Sequence, residues 1–309
     1  MLWYVLSFIG AIADAGYYIS VKKFLQTSDP FSLAAGGYTC TGTVLLLMSW
    51  IMGFPDIGQD FYGSLFASSV LGIGAILLTF AALRSTDISL AVPMISFTPL
   101  FLIVTAFVIL HEVPTMTGIA GIVIIVTGSY VLNLSSSDGG WTDPFRSVFR
   151  NRGVLYMLMV SVIYAFAINF DKIIVNNSDP VFGASIICMI LGLSFAGISQ
   201  IPPLKEMLVR ITGPVPDSPL QQSLPDGATP SNKRVRQWIA IGILLSVSAV
   251  SIYTAYTLQI VPYVIAIKRM SIIIIVFYGG FVFREKEMLR RFSGALLMVA
   301  GAVMIVLFN

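Results

Sequence analysis

Three charges stand in apolar surroundings. Asp14 lies midway along the apolar run 2–24, and Lys268 and Arg269 lie five and six residues into the run 263–283. On insertion scales an ionisable group deep in a bilayer costs about 3 kcal/mol, so each needs a reason. At ~1.5 Å per residue, the basic pair sits roughly 8–9 Å below the end of its run. Arginine offers a forked contact to carboxylate or phosphate, and lysine offers a point charge. Long basic side chains can also snorkel to an interface. Adjacent residues diverge by about 100° around a helix, so both cannot follow one route to the headgroups. That favours a pair facing a cavity and binding an anion. Asp14 has three readings: an internal partner for Lys268 or Arg269, a group binding a coupling proton or cation, or a hydrogen bond to a neighbouring helix. Tyr17, Tyr164, Asn169, Tyr253, Tyr256 and Tyr263 complete the candidate substrate-binding set. They offer hydroxyl, amide and aromatic surfaces, although Tyr263 also suits a membrane interface.

The residues do not point to an enzyme. The single histidine, His111, stands beside Glu112 at the end of an apolar run. There is no metal-ligand spacing, phosphate-cradling loop or nucleophile elbow, so no cofactor or metal is expected.

Composition says what must position the charges. The chain has 309 residues, 57% hydrophobic and 11% charged, where a soluble domain carries about 25% charged. A soluble globular enzyme, a disordered chain and a disulfide scaffold are excluded. A net charge of +3 is too small for a nucleic-acid binder. Cys40 and Cys188 lie in apolar runs and read as packing residues. Ten runs have the length of a membrane-crossing helix: 2–24, 32–52, 61–83, 88–110, 114–134, 153–174, 181–201, 237–260, 263–283 and 288–308. The first lacks a basic leader and ends in Lys22-Lys23, so it reads as a retained helix. No run shows the alternation of a membrane barrel. Residues 135–152 read either as an interfacial amphipathic helix, with Trp141, Phe145, Val148 and Phe149 on one side, or as a polar linker. Residues 202–236 are rich in proline and charge and should be mostly irregular, with an interfacial turn or two around Leu204–Ile211.

The chain is duplicated. Ser28-Asp29-Pro30 recurs 150 residues later as Ser178-Asp179-Pro180, and Lys22 recurs as Lys172. Further on the offset becomes 173: Ala82 matches Ala255, Glu112 matches Glu285, Gly121 matches Gly294 and Gly128 matches Gly301. The change of 23 residues falls in the 202–236 loop. Each half holds five spans. An odd number inverts the second copy relative to the first, the arrangement of secondary transporters that work by alternating access. Lys268 and Arg269 match the uncharged Ile95 and Ser96, so the fold itself does not need basic residues there.

Each half ends with a glutamate, a glycine nine residues on and another seven further: Glu112, Gly121, Gly128, and Glu285, Gly294, Gly301. With Gly16 and Lys22-Lys23, this resembles the EamA family of the drug/metabolite transporter superfamily. The resemblance implies an all-α membrane fold of ten helices in two inverted units, at 1–134 and 153–308, joined by 135–152. It implies movement of small metabolites through a central cavity lined by the first, third, fourth, sixth, eighth and ninth helices, with the fifth and tenth outside. The Lys268-Arg269 pair also resembles that of the plastid triose-phosphate translocators, where it holds the substrate phosphate. The glycines themselves read as smooth stripes for close helix approach. Glu112 and Glu285 read as caps of the following helix or as partners of a nearby base.

Basic residues orient the chain. Fifteen lie in loops on one side and only Lys172 in loops on the other. The positive-inside rule puts the basic loops in the cytoplasm and both termini outside, in a cell (inner) membrane. This runs against the family, whose ten-helix members keep both termini inside. The expected partners are a small-molecule substrate, the lipid bilayer, a coupling ion or proton, and no nucleic acid, with the chain as monomer or homodimer. Three functions stand in order: transport of a small organic anion, export of a cationic or zwitterionic solute through Asp14, and a non-transporting scaffold or sensor.

Overall fold

The computed structural model describes residues 2–86, 88–133, 151–201, 231–283 and 288–308. The expectations for Glu285, for 134–150 and for 202–230 fall outside them. Helices α1 (Leu2–Phe24), α2 (Pro30–Met52) and α3 (Phe61–Ser85) open the first half. A broken stretch follows: α4 (Ile88–Ala91), a 3-10 helix (Val92–Phe97) and α5 (Thr98–Leu110). Helix α6 (Met116–Asn133) ends it. The second half runs α7 (Arg152–Asn176), α8 (Pro180–Gln200), α9 (Ser231–Leu258), α10 (Val261–Lys268), α11 (Ser271–Phe283) and α12 (Met288–Phe308). Eight helical stretches are long and apolar enough to cross a membrane, and two shorter apolar ones lie in α6 and α12. No described residue forms a strand.

The repeated Ser-Asp-Pro is a helix start. Asp29 accepts a hydrogen bond from Ser32 N at 3.0 Å, and Asp179 accepts from Val181 N at 2.7 Å and Phe182 N at 2.9 Å. The proline that follows needs no hydrogen-bond partner in the first turn. The matched lysines repeat a contact too. Lys22 donates to the Thr86 carbonyl at 2.8 Å, and Lys172 donates to the carbonyl of Gln259, 173 residues beyond Thr86, at 3.0 Å.

The largest helix contacts join one half to the other: α1 to α9, α2 to α8, α3 to α7 and α6 to α12. Glycines let the backbones close. A Cβ on Gly42 would lie 2.8 Å from Met189 N, and one on Gly192, 150 residues on, would lie 2.5 Å from Thr39 N. The stripes of α6 and α12 meet each other: a Cβ on Gly128 would lie 2.7 Å from the Gly294 carbonyl, and one on Gly301 would lie 2.6 Å from that of Gly121.

Three elements differ from the sequence expectation. Helix α9 begins at Ser231, so Lys233, Arg234 and Arg236 sit in its first turns and not in an irregular loop. The run 88–110 is not one helix. Pro93 and Pro99 lack the N–H that an α-helix needs. Side-chain hydroxyls add bonds to carbonyls of the 3-10 turn, Ser96 Oγ donating to Pro93 O at 2.6 Å and Thr98 Oγ1 to Ile95 O at 2.7 Å. The run 263–283 starts earlier, at Val261, and breaks at Arg269-Met270.

Candidate functional site

The second break sits beside a cavity of about 160 Å³. Its charged lining is Asp14, Asp171, Lys268 and Arg269.

The break gives this cluster its local electrostatics. Lys268 closes α10, whose C-terminal end favours cations, although Ile265 O and Ile267 O accept from Arg269 N and Met270 N. Ser271 opens α11, whose N-terminus favours anions. Asp14 enters from α1 and takes both. Its Oδ1 lies 3.2 Å from Lys268 Nζ, and its Oδ2 accepts from Ser271 Oγ at 3.3 Å. Two of the three readings of Asp14 are therefore realised together, the ion pair and the interhelical hydrogen bond. Arg269, one residue on, points elsewhere. It is 2% exposed, donates through an Nη to Thr98 Oγ1 at 3.1 Å, and leaves its Nε without a partner. The two chain breaks thus meet through Arg269 and Thr98. Among the described residues no carboxylate lies within salt-bridge distance of Arg269.

Asp171 escaped the sequence reading. It lies five residues before the end of α7, next to Lys172, where a charged pair looks like a helix end at the membrane surface. Half-buried, it faces the cavity instead. The Ser68 hydroxyl donates to its Oδ1, and Tyr253 lies within hydrogen-bonding reach. No basic nitrogen lies within salt-bridge distance of it among the described residues. Tyr18 and Tyr38 were also missed. Tyr38 accompanies Tyr17, their hydroxyls 3.4 Å apart, and both line the cavity.

Of the nine residues expected to bind substrate, seven surround the cavity: Lys268, Arg269, Asp14, Tyr17, Tyr164, Tyr253 and Tyr256. Asn169 and Tyr263 do not. Asn169 is fully buried and ties α7 to α5, donating to Thr105 Oγ1 at 3.0 Å and to Ala165 O at 2.6 Å. Tyr263 is buried at the head of α10 rather than at an interface, and its hydroxyl accepts from Thr115 N at 2.8 Å. The lining helices also differ from those the resemblance implied. Tyr38 of α2 and Ile187, Cys188 and Leu191 of α8 line the cavity, while the broken fourth stretch contributes no lining residue. That stretch meets Arg269 through the Thr98 hydroxyl.

Glu112 does both jobs expected of it, but for a different helix. One oxygen pairs with Lys172, and the other accepts from Val261 N at 2.8 Å, capping α10 and not α6. Among the described residues no group of acidic, histidine and cysteine side chains could hold a metal.

Residues 1–134 match the model of the EamA-like transporter family. A solved crystal structure aligns over 98% of this chain and 96% of its own, with a TM-score of 0.68 and 14% identity, which speaks for the fold alone. No curated protein matches the chain.

Proposed function

Residues 1–134 belong to the EamA-like transporter family, and from that premise we propose that the chain is a secondary transporter for a small organic anion. Membership makes it a multi-pass membrane transporter of the drug/metabolite type and speaks against an enzyme. In our reading ten spans form two inverted five-helix units, at 1–134 and 153–308. The mirrored contacts of Lys22 and Lys172, and of Gly42 and Gly192, support that pairing. Two inverted units alternate access by exchanging their conformations around a midplane site.

One observation carries the anion reading: Arg269 is a buried cation beside the cavity with no carboxylate partner among the described residues and an unpartnered Nε. Such a group is costly unless something anionic joins it. A carboxylate or a singly charged phosphate would supply the missing partner, with Lys268 adding a point charge nearby. The cavity also contains Asp171, which supports a second reading, a zwitterion whose ammonium meets that carboxylate among tyrosine faces. Asp14 serves that reading poorly, because Lys268 and Ser271 already occupy it.

Reconstituted vesicles test the anion role. Arg269→Gln and Lys268→Gln should each lower uptake of anionic solutes at least tenfold while the proteins still insert and stay folded. Full uptake in both variants would end the anion reading.

A further inference from the structure

Formally the cavity is neutral, two carboxylates against two cations. Asp14 and Lys268 are spent on each other at 3.2 Å. The remaining pair, Arg269 and Asp171, make no salt bridge with one another or with any other described residue. A monoanion arriving beside Arg269 would leave the cavity with one net negative charge, and an uncompensated charge enclosed by protein is costly. A proton arriving alone would leave one net positive charge at similar cost. Together they restore neutrality. We infer that Asp171 carries a proton that enters with each monoanion, so that only the empty and the doubly loaded cavity cross the membrane. This rests on the anion reading above and adds its coupling ion and ratio.

The surroundings of Asp171 suit a proton better than a metal cation. Its contacts are the hydroxyls of Ser68 on α3 and Tyr253 on α9. A hydroxyl donates to a carboxylate and can turn to accept from a carboxylic acid, so the same partners serve both states. A hard cation needs about six oxygen ligands, and the described residues offer no acidic cluster there. The other titratable groups facing Asp171 are Tyr164 on its own helix, Cys188 on α8, Tyr256 on α9 and Lys268 on α10. Lys268 is the one charged group among them, and Asp14 already holds it. Between the two binding groups the coupling is electrostatic and reciprocal: each ligand raises the affinity for the other by the same factor.

Two measurements on the purified full chain test this. Infrared titration should show a carboxyl band that gains and loses its proton in the wild type and in Asp14→Asn, and that is missing from Asp171→Asn. An unchanged titration in Asp171→Asn overturns the proton site without reference to any solute. In vesicles loaded from a medium at about pH 5, where both are largely monoanions, lactate and glycerol phosphate serve as carboxylate and phosphate probes. An imposed proton gradient should drive their accumulation by the wild type and by Asp171→Glu. Asp171→Asn should lose that accumulation at least tenfold yet keep probe-for-probe exchange, whereas Arg269→Gln should lose both. Gradient-driven accumulation surviving in Asp171→Asn overturns the coupling. Loss of exchange as well would make Asp171 a solute-binding group and also overturn it. Should the wild type move neither probe, the anion reading fails, and the infrared titration still decides Asp171.

Discussion

Glu112 and Lys172 show how much one pair of side chains can hold. Glu112 pairs with Lys172 and caps α10 through Val261 N, and Lys172 also reaches the Gln259 carbonyl. Both side chains are 12% exposed, so each depends on the other for its charge. Removing one partner leaves the other buried and unpaired, at a cost of about 3 kcal/mol. Glu112→Ala should therefore lower the melting temperature markedly in detergent, while Glu112→Ala combined with Lys172→Met should recover much of the loss. Equal melting temperatures for wild type and Glu112→Ala would show that the pair contributes little. Asp171 teaches the converse. In the sequence it has the same look as Glu112, an acid near a span end beside a base. Its helix turns it inward, to Ser68 and away from Lys172's partners.

At the scale of elements, the helices cross closely where glycine recurs, and one of the two helix breaks lies beside the cavity. The α2–α8 crossing tests the first point. Gly42 faces the backbone of Met189, with no room for a Cβ. Overpacking a tight contact costs about 1–3 kcal/mol. Gly42→Leu should lower thermal stability by an amount in that range, and Gly63→Leu, at an exposed site with nothing within 4 Å, should not. Equal effects of the two would mean that the crossing can spread without loss. The breaks bear on the second point. Proline explains the first, at Val92–Phe97, from local chemistry alone. The second, at Arg269-Met270, has no proline at the break. Asp14 from α1 takes up Lys268 and Ser271 on either side of it and Thr98 from α5 takes up Arg269 within it, while Met270 N to Ile267 O and Ile272 N to Arg269 O carry the backbone across.

For the whole molecule, the basic residues of the loops predict the orientation, and the cavity charges carry the proposed function. Of the fifteen basic residues assigned to one face, the structure draws Lys22 and Arg84 into the protein. Lys22 is spent on the Leu83 and Thr86 carbonyls, and Arg84 is partly buried with its Nε unpartnered. The asymmetry still heavily favours that face over the single Lys172. A C-terminal reporter active only in the cytoplasm should therefore give little signal. A strong signal would place both termini inside and reverse the assignment of the basic loops.

The residues alone determined the apolar, helix-length runs, the two offsets of 150 and 173 and the singling out of Asp14, Lys268 and Arg269 as charges within apolar runs. Each of these is a matter of composition or spacing, which the chain carries at every position whatever its shape. The direction of a side chain around its helix is different, because packing against distant partners sets it. Asn169 and Tyr263 had suitable chemistry and were turned away to bind Thr105 and Thr115. Asp171, Tyr18 and Tyr38 were turned toward the cavity. Which helices enclose that cavity, and that Asp14 meets Lys268 while Arg269 meets Thr98, depends on segments up to 257 residues apart being brought together. Spacing along one chain cannot encode such contacts locally, and only the tertiary structure decided them.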